Sequence, residues 1–233
     1  TRTLVTGASG FIGRSALAAL AQRGEELHAV SSTRTANAAL PGVRWHQADL
    51  LDHAAAASLM ERVRPTHLLH LAWHPVDSDY WTTPKNRDWR GASLRLLSEF
   101  AAAGGSRAVM AGTCAEYEWG HGPCSEARTP LRPKTLYGRC KHALFDDAAP
   151  LAASAGVSLA WGRVFFVYGP NEPSKRLVPA IVRALLAGEP AATTEGSQRR
   201  DFMYVEDVAA AFADLLASEV EGAVNVGSGY PVQ

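Results

Sequence analysis

Short apolar stretches alternate along the chain with longer stretches in which apolar residues recur every three or four positions. The short stretches predict strands at residues 3–6, 27–30, 43–46, 67–71, 108–111 and 159–164. The longer ones predict helices at residues 12–23, 54–63, 94–103, 177–186 and 205–216. Because such alternation is typical of parallel sheets with helices on both faces, the sequence predicts the α/β class with a doubly wound parallel sheet.

The alternation weakens after residue 168, where residues 169–173 form a loop pattern rich in glycine and proline. We therefore predict a sheet domain at residues 1–168 and a small C-terminal substrate lobe at residues 169–233, interleaved with the sheet. Residues 225–229 combine a strand pattern with a glycine turn, and no helix pattern follows. We expect the native chain to continue beyond Gln233.

Charge and cysteine content exclude several classes of partner. Lysine plus arginine and aspartate plus glutamate are equal at 23 each, so no strong net field favours a nucleic acid or a membrane surface. The three cysteines form no Cys-x-x-Cys pair, and the chain has neither a secretory signal pattern nor a membrane-spanning apolar run. We expect a cytoplasmic protein with structural cysteines. A His, Cys and carboxylate cluster at ligand spacing is lacking, so no metal is predicted.

Glycines recur every three residues between the first predicted strand and the first predicted helix. Glycine lets the backbone approach a pyrophosphate closely, and the helix that follows presents free N–H groups and a positive dipole end to it. The arrangement predicts a dinucleotide site. Its predicted cofactor contacts are Gly7, Ser9, Gly10, Phe11, Ile12 and Gly13.

The residues after the second strand bear on the choice of cofactor. NAD enzymes commonly have a carboxylate here for the adenosine ribose, whereas this chain has Ser31, Ser32 and Arg34. Hydroxyls and a guanidinium suit a 2′-phosphate, so we predict NADP rather than NAD; Arg34 as a solvated loop charge is the alternative. Further predicted cofactor contacts are Asp49, Leu50, Leu71, Ala72 and Trp73. Asp49 has a second interpretation as a helix cap.

Three side chains in the middle of the chain suit carbonyl reduction. Tyr137 and Lys141 are four residues apart, so a helix places them on one face, where the ammonium lowers the pKa of the phenol. Tyr137 would donate a proton to a carbonyl oxygen, and Thr113 would hydrogen-bond that oxygen. Lys141 would also hold the nicotinamide ribose. The alternative for Tyr137 and Lys141 is a surface pair on a helix.

Taken together, these motifs resemble the extended short-chain dehydrogenase/reductase family, the group of nucleotide-sugar epimerases, dehydratases and ketoreductases. The resemblance covers nearly the whole chain. It includes Gly7-x-x-Gly10-x-x-Gly13, Thr113 four residues before Tyr117, Tyr137-x-x-x-Lys141, and the segments at residues 163–170 and 200–208. It implies a Rossmann domain, a nicotinamide cofactor, a nucleoside-diphosphate sugar under the C-terminal lobe, and a homodimer formed by the helix of Tyr137 and the helix at residues 94–103.

Departures from the family pattern narrow the predicted reaction. The family's sugar dehydratases have Asp and Glu after the catalytic Thr, where this chain has Cys114 and Ala115, so dehydration is not expected. Ser31 replaces the aspartate of the NAD-recycling epimerases, which favours net reduction. Asp88 and Phe166 stand where the family has asparagines, so the family's helix-bound water and one substrate contact are not carried over.

The predicted function is NADP-dependent reduction of a keto group on a nucleoside-diphosphate 4-keto-6-deoxy sugar. The alternatives are an NAD-dependent C4 epimerase, with tightly retained cofactor, and a non-catalytic NADP-binding sensor. By resemblance Arg200 binds the diphosphate, although a solvated Arg199–Arg200 pair is the alternative. The aromatic loop at residues 73–81 has three interpretations: stacking on the sugar, core packing and a dimer contact. The other predicted substrate contacts are His74, Cys114, Ala115, Phe166, Arg176 and Leu177.

Overall fold

The computed structural model describes residues 1–33, 40–74 and 79–233. The strands are β1 (Arg2–Thr6), β2 (Glu26–Ser31), β3 (Val43–Gln47), β4 (His67–His70), β5 (Arg107–Thr113), β6 (Ser158–Val164), β7 (Phe166–Tyr168), β8 (Phe202–Tyr204) and β9 (Gly222–Val226). The helices are α1 (Phe11–Ala21), α2 (His53–Val63), α3 (Lys85–Ala102), α4 (Leu136–Ser154), α5 (Leu177–Leu186) and α6 (Val205–Ala217). A 3-10 turn, Cys114–Glu116, follows β5.

Seven strands form one parallel sheet in the order β3-β2-β1-β4-β5-β6-β9. The chain starts in the middle at β1, runs to one edge through β2 and β3, and then crosses to β4 on the other side of β1. This arrangement confirms the predicted doubly wound α/β class. The winding direction reverses between β1 and β4, and α/β proteins bind ligands at the carboxyl ends of the strands beside such a reversal.

Helices bury both faces of the sheet. On one face, α2, α3 and α4 pack through residues such as Leu59, Leu97 and Leu144. On the other face, α1 and α6 pack against each other and the sheet, with Leu17 and Phe212 in the core. Both helix layers hold the strands firmly, so the carboxyl ends of β1, β4, β5 and β6 form a fixed edge for the loops that follow them.

Residues after 168 contribute to two places in the molecule. Helix α6 lies in the layer of α1, and β9 pairs with β6 in the main sheet. Strand β8 pairs with β7, which ends at residue 168, in a separate two-stranded parallel sheet. The C-terminal segment returns to this region, because Arg200 and Val232 exchange two backbone hydrogen bonds of 2.8 and 2.9 Å.

Candidate active site

A cleft of about 2300 Å³ opens at the carboxyl edge of the sheet. Of the predicted site residues that the structure describes, each lines this cleft except Leu177, which begins α5 and is 41% exposed. Arg34 and residues 75–78 of the aromatic loop fall outside the described residues, so the structure does not bear on the predicted contact of Arg34 with a 2′-phosphate. The fold thus brings the glycine turn, the residues after β5 and the first turns of α4 to one site.

The glycine turn is packed too closely for larger residues. Gly7 has a φ of +66°, and a Cβ on it would lie 2.7 Å from the backbone nitrogen of Ala72. A Cβ on Gly13 would lie 2.1 Å from the carbonyl oxygen of Gly7. Helix α1 starts at Phe11 without a side-chain cap, so its first N–H groups are available to an anion in the cleft. The turn therefore fits a dinucleotide pyrophosphate.

The part of the cleft beside β2 and β3 is lined by hydroxyls and by Asp49. Ser31 and Ser32 line it at the end of β2, and the Ser31 hydroxyl accepts a 3.3 Å hydrogen bond from the Thr33 backbone N–H. Asp49 accepts a 2.9 Å hydrogen bond from the Leu51 backbone N–H. The helix-cap interpretation of Asp49 is wrong, because the cap of α2 is Asp52, whose carboxylate accepts from two N–H groups of the first turn.

Helix α4 carries Tyr137 to the end of β5. Thr135 caps the helix by accepting a 3.0 Å hydrogen bond from the Gly138 backbone N–H. A Cβ on Gly138 would lie only 2.4 Å from the carbonyl oxygen of Ala115, so glycine is what allows this close contact between α4 and the 3-10 turn. The contact brings Tyr137 beside Thr113 in the cleft.

Lys141 lies one turn after Tyr137 and is almost completely buried. Its ammonium donates a 2.7 Å hydrogen bond to the Ala111 carbonyl oxygen and lies 3.8 Å from the centroid of the Trp73 ring. Burial lowers the pKa of Lys141 to about 7, and the Glu116 carboxylate opposes this shift. At neutral pH the side chain therefore exchanges readily between its charged and neutral forms.

The expected lowering of the phenol pKa by Lys141 is wrong for this structure. Burial raises the pKa of Tyr137 above its ordinary value, and the hydrogen bond with Thr113 opposes that change only in part. The reason is that protein atoms surround most of Tyr137 and nearly all of Lys141, which disfavours the charged form of each. Tyr137 consequently keeps its proton across the neutral range and can act as a proton donor.

A buried ion pair holds the backbone of Thr113 in place through a hydrogen bond. Glu116 accepts a 2.9 Å hydrogen bond from the Thr113 backbone N–H and a 2.8 Å bond from the Arg163 guanidinium. The Glu116 and Arg163 side chains are 0% and 1% exposed. Arg163 also donates to the Tyr117 hydroxyl at 3.1 Å, and that hydroxyl donates to the Asn225 side-chain oxygen at 2.7 Å. The network joins the end of β5 to β6 and β9.

A second buried network supports the cleft wall at β4. The Thr6 hydroxyl lies 2.7 Å from one ring nitrogen of His70, and the other ring nitrogen lies 2.8 Å from the Ser93 hydroxyl. Thr6 also accepts a 3.2 Å hydrogen bond from the Ala72 backbone N–H. Burial lowers the pKa of His70 to about 3, so the ring is neutral and structural. This network fixes the backbone that contacts Gly7.

The part of the cleft formed by residues after β6 combines aromatic rings with arginines. Phe166 lines the cleft, and the Arg200 guanidinium lies 4.8 Å from the centroid of its ring. Arg200 also donates a 2.6 Å hydrogen bond to Gln198. Arg176 lies 3.4 Å from the Glu172 carboxylate, whose side chain is 4% exposed. Two guanidinium groups thus face the cleft from the C-terminal part of the chain.

Cys114 follows Thr113 and lines the cleft. Burial raises the pKa of its thiol to about 12, so the thiol stays protonated at neutral pH. A protonated thiol is a poor nucleophile, and this agrees with the interpretation of Cys114 as a residue without nucleophilic chemistry.

Sequence reasoning missed several residues that shape the site. Glu116 had a local signal, because Thr113-x-x-Glu116 matches a capping box and the structure forms both of its hydrogen bonds. Asn86 had none: it is 0% exposed, and its side chain is hydrogen-bonded to Trp73 and Tyr80, which both precede it in the chain. Asp88, which stands in place of a family asparagine, is exposed on α3.

Two further features of the described ranges concern partners. Among the described residues, no three His, Cys, Asp or Glu side chains are grouped as metal ligands would be. Across residues 1–33, 40–74 and 79–233, none of the helices has the length and apolar composition required to cross a bilayer.

Comparison with known proteins identifies the family. The sequence profile of the NAD dependent epimerase/dehydratase family matches residues 3–227, which is almost the whole chain. The chain belongs to this family. The resemblance predicted from the glycine turn and the Tyr-x-x-x-Lys motif is therefore confirmed, and the protein is an enzyme of the epimerase/dehydratase family.

Relatives within the epimerase/dehydratase family include epimerases and a dehydrogenase. An ADP-L-glycero-D-manno-heptose-6-epimerase from Thiobacillus denitrificans is 30% identical over 247 residues, covering 97% of this chain and 73% of the relative. A dTDP-6-deoxy-L-talose 4-dehydrogenase (NAD(+)) from Aggregatibacter actinomycetemcomitans is 25% identical over 236 residues, covering 98% and 84%.

Solved structures of similar fold contain NAD. The UDP-glucose 4-epimerase of Thermus thermophilus, in complex with NAD, has a TM-score of 0.87 at 28% identity and covers 100% of this chain and 79% of its own. MoeE5, in complex with UDP-glucose and NAD, has a TM-score of 0.85 at 30% identity and covers 100% and 78%.

Proposed function

We propose that the protein reduces a 4-keto group on a nucleoside-diphosphate 6-deoxy sugar, using NADPH. The observation that carries this proposal is the meeting of Thr113, Tyr137 and Lys141 in one cleft with the glycine turn. The names of the relatives, an ADP-heptose epimerase and a dTDP-deoxysugar dehydrogenase, support a nucleotide sugar as the substrate class.

The chain's own residues account for the proton and for the developing charge. When bound, the nicotinamide supplies the hydride that adds to the carbonyl carbon. Tyr137 donates its phenolic proton to the carbonyl oxygen as that oxygen becomes negative, and its raised pKa keeps the proton available. The Thr113 hydroxyl donates a hydrogen bond to the same oxygen. Lys141, when protonated, adds a positive charge next to the phenol and binds the ribose hydroxyls.

Recognition of the diphosphate falls to the two arginines at the other end of the cleft. The planar guanidinium of Arg200 suits two phosphate oxygens at once, and its contact with the Phe166 ring orients it. Arg176 adds a second positive charge, although its pairing with Glu172 reduces the net charge available. Phe166 therefore contributes through Arg200, in place of the direct polar contact that an asparagine makes.

The preference for NADPH is proposed from the end of β2. Ser31 and Ser32 line the cleft where a ribose carboxylate partner stands in NAD enzymes. A carboxylate at this position repels a 2′-phosphate, whereas hydroxyls can donate hydrogen bonds to it. Replacing Ser31 with Asp is expected to reverse the preference between the two cofactors.

An NAD-dependent C4 epimerase is the second candidate. It is favoured by the bound NAD in the structures of the Thermus thermophilus epimerase and MoeE5. An epimerase oxidises and reduces one sugar in a single turnover, so it retains its cofactor and consumes none. Release of NAD from the purified, denatured protein would favour this candidate over the reductase.

The test of the proposed function is a Tyr137→Phe variant assayed with NADPH and a panel of nucleoside-diphosphate 4-keto sugars. Loss of the proton donor is expected to lower kcat by about 100-fold or more, while the Kd for NADPH stays within about twofold. Tyr168→Phe is the matched control, since Tyr168 lies outside the cleft lining and packs against Tyr204. Unchanged turnover in Tyr137→Phe would refute the proposed role, and NADPH binding without turnover of any keto sugar would favour a sensor.

A further inference from the structure

Asn86, near the start of α3, is a fully buried amide beside the cleft. Its side-chain oxygen accepts a 2.8 Å hydrogen bond from the indole N–H of Trp73. Its side-chain nitrogen donates to the carbonyl oxygens of Tyr80 at 2.7 Å and Thr83 at 3.0 Å. A buried amide with three such bonds is strongly fixed, because each unmade bond would leave a buried polar group without a partner.

Through Trp73, Asn86 reaches the candidate catalytic residues. The Trp73 ring lies across the Lys141 ammonium at 3.8 Å, and its centroid lies 6.3 Å from that of the Tyr137 ring. An indole can rotate about two side-chain bonds, and the hydrogen bond to Asn86 selects one orientation. In that orientation the indole ring packs against the Lys141 ammonium.

Through the carbonyl oxygens of Tyr80 and Thr83, Asn86 also holds the segment that carries Tyr80 and Trp81. The rings of Tyr80 and Trp81 lie 5.2 and 5.6 Å from the Tyr137 ring, both in an edge-on arrangement. The Tyr137 backbone N–H donates a 3.1 Å hydrogen bond to the Trp81 carbonyl oxygen. Three aromatic rings therefore surround the Tyr137 phenol, and all three are attached directly or through the backbone to Asn86.

We propose that Asn86 is a positioning residue that holds Trp73 across Lys141 and the Tyr80–Trp81 rings beside Tyr137, and so sets where the sugar ring lies relative to the phenol. The statement about the sugar rests on the proposed function. The statement about Lys141 does not, because it concerns only contacts within the chain.

The first arm of the test measures access to Lys141 without any substrate. The protein is treated briefly with acetic anhydride, and the modified lysine is quantified by peptide mass mapping. Asn86→Ala is expected to raise the labelling rate of Lys141 about fivefold or more, because the released indole no longer covers the ammonium. Labelling of Lys141 at the parental rate in this variant overturns the proposal.

A milder variant keeps the test decisive if Asn86→Ala does not fold. Trp73→Phe retains an aromatic ring, although a smaller one, and removes the N–H that Asn86 holds; it is expected to raise the labelling rate of Lys141 at least about twofold. The matched control is Trp45→Phe, since the buried indole N–H of Trp45 has no hydrogen-bond partner among the described residues. Equal labelling rates in Trp73→Phe and Trp45→Phe overturn the proposal.

The second arm measures the consequence for catalysis with NADPH and dTDP-4-keto-6-deoxyglucose. Asn86→Ala is expected to raise KM for the sugar about tenfold, with the Kd for NADPH changed about threefold at most. A purely structural role would lower the melting temperature and leave KM unchanged, and that result overturns the positioning role. Absence of turnover in the parent protein would count against the proposed function, while the labelling arm would still decide whether Asn86 holds Trp73 over Lys141.

Discussion

At the scale of single residues, the proposed catalytic role of Lys141 conflicts with the stability of the folded protein. Burial lowers its pKa to about 7, so the unfolded chain binds this proton more tightly than the folded chain. Folding stability from this residue therefore rises as the pH increases from about 7 to about 10.4, the ordinary lysine pKa, and is lowest below pH 7. The active site retains the lysine despite this cost.

Replacing Lys141 with Met is expected to stabilise the protein and to remove its activity. The free energy of unfolding should rise by about 2 kcal/mol at pH 6.5, because the parent buries a mostly charged ammonium at this pH and the variant buries no charge; the gain should vanish above about pH 10.5. Urea unfolding at pH 6.5, 8.5 and 10.5 measures both the gain and its pH dependence. An identical pH dependence in the variant and the parent would show that Lys141 is not desolvated in the folded protein.

In contrast to the substitution of Lys141, removal of one charge from the Glu116–Arg163 ion pair should lower the free energy of unfolding. Glu116→Gln leaves the Arg163 guanidinium buried without a compensating charge, and the expected loss in the free energy of unfolding is about 3 kcal/mol. The double variant Glu116→Gln with Arg163→Met removes both charges and should lose less than the two single variants together. Denaturant unfolding of all four proteins measures the coupling, and strict additivity would contradict the pairing.

Local sequence patterns predicted some residues of the site and not others. The glycine turn and the Tyr137–Lys141 spacing are visible in the sequence because each set lies within two turns of one helix or loop. The contact between Asn86 and Trp73 joins the loop after β4 to α3 and depends on how these elements pack. The direction of the Tyr137 pKa shift was mispredicted for a similar reason, since burial is a property of the folded molecule.

At the scale of elements, the docking of α4 against the 3-10 turn determines the position of Tyr137. Gly138→Ala would place a Cβ 2.4 Å from a backbone oxygen, so α4 must move away from β5. We expect kcat to fall at least about tenfold, because small displacements of a proton donor are costly. The control is Gly91→Ala on α3, where the Cβ would meet only the flexible end of the Arg95 side chain at 3.2 Å. Equal kcat in both variants would contradict the importance of this contact.

The predicted and observed bounds of the helices and strands agree where the apolar pattern was strong enough to locate an element. The strands of the main sheet that were predicted lie within about two residues of their observed bounds, because each is a compact apolar run between breakers. Helix α3 begins at Lys85, well before the predicted start at residue 94, because its first turns are charged and lack an apolar stripe. Strands β7 and β8 have three residues each and were not predicted, since so short a pattern has no periodicity.

At the scale of the whole molecule, strand alternation predicted the fold class and left the pairing of the last strand open. A strand at residues 222–226 can extend either the main sheet or the smaller one, and the structure pairs it with β6. Pairing of this kind depends on the packing of α6 against α1, which is a contact between distant parts of the chain.

The predicted homodimer through α3 and α4 remains a prediction for the whole molecule. Sedimentation equilibrium of this chain is expected to give twice the protomer mass of 24.9 kDa. Charge-reversing substitutions on the exposed side of α3, such as Arg95→Glu, should then shift the species toward the monomer without changing the Kd for NADPH. A single species of protomer mass would contradict the prediction.

The most direct test of the central claim is a single-turnover experiment on the parent protein. The protein is saturated with NADPH and mixed with a nucleoside-diphosphate 4-keto-6-deoxy sugar, and the absorbance of the reduced nicotinamide is followed. We predict loss of one equivalent of NADPH per site, with formation of the 4-hydroxy sugar. The claim of a net reductase would be contradicted by two results together. The NADPH absorbance would stay constant with every nucleoside-diphosphate 4-keto sugar tested, and the purified protein would already contain bound NAD.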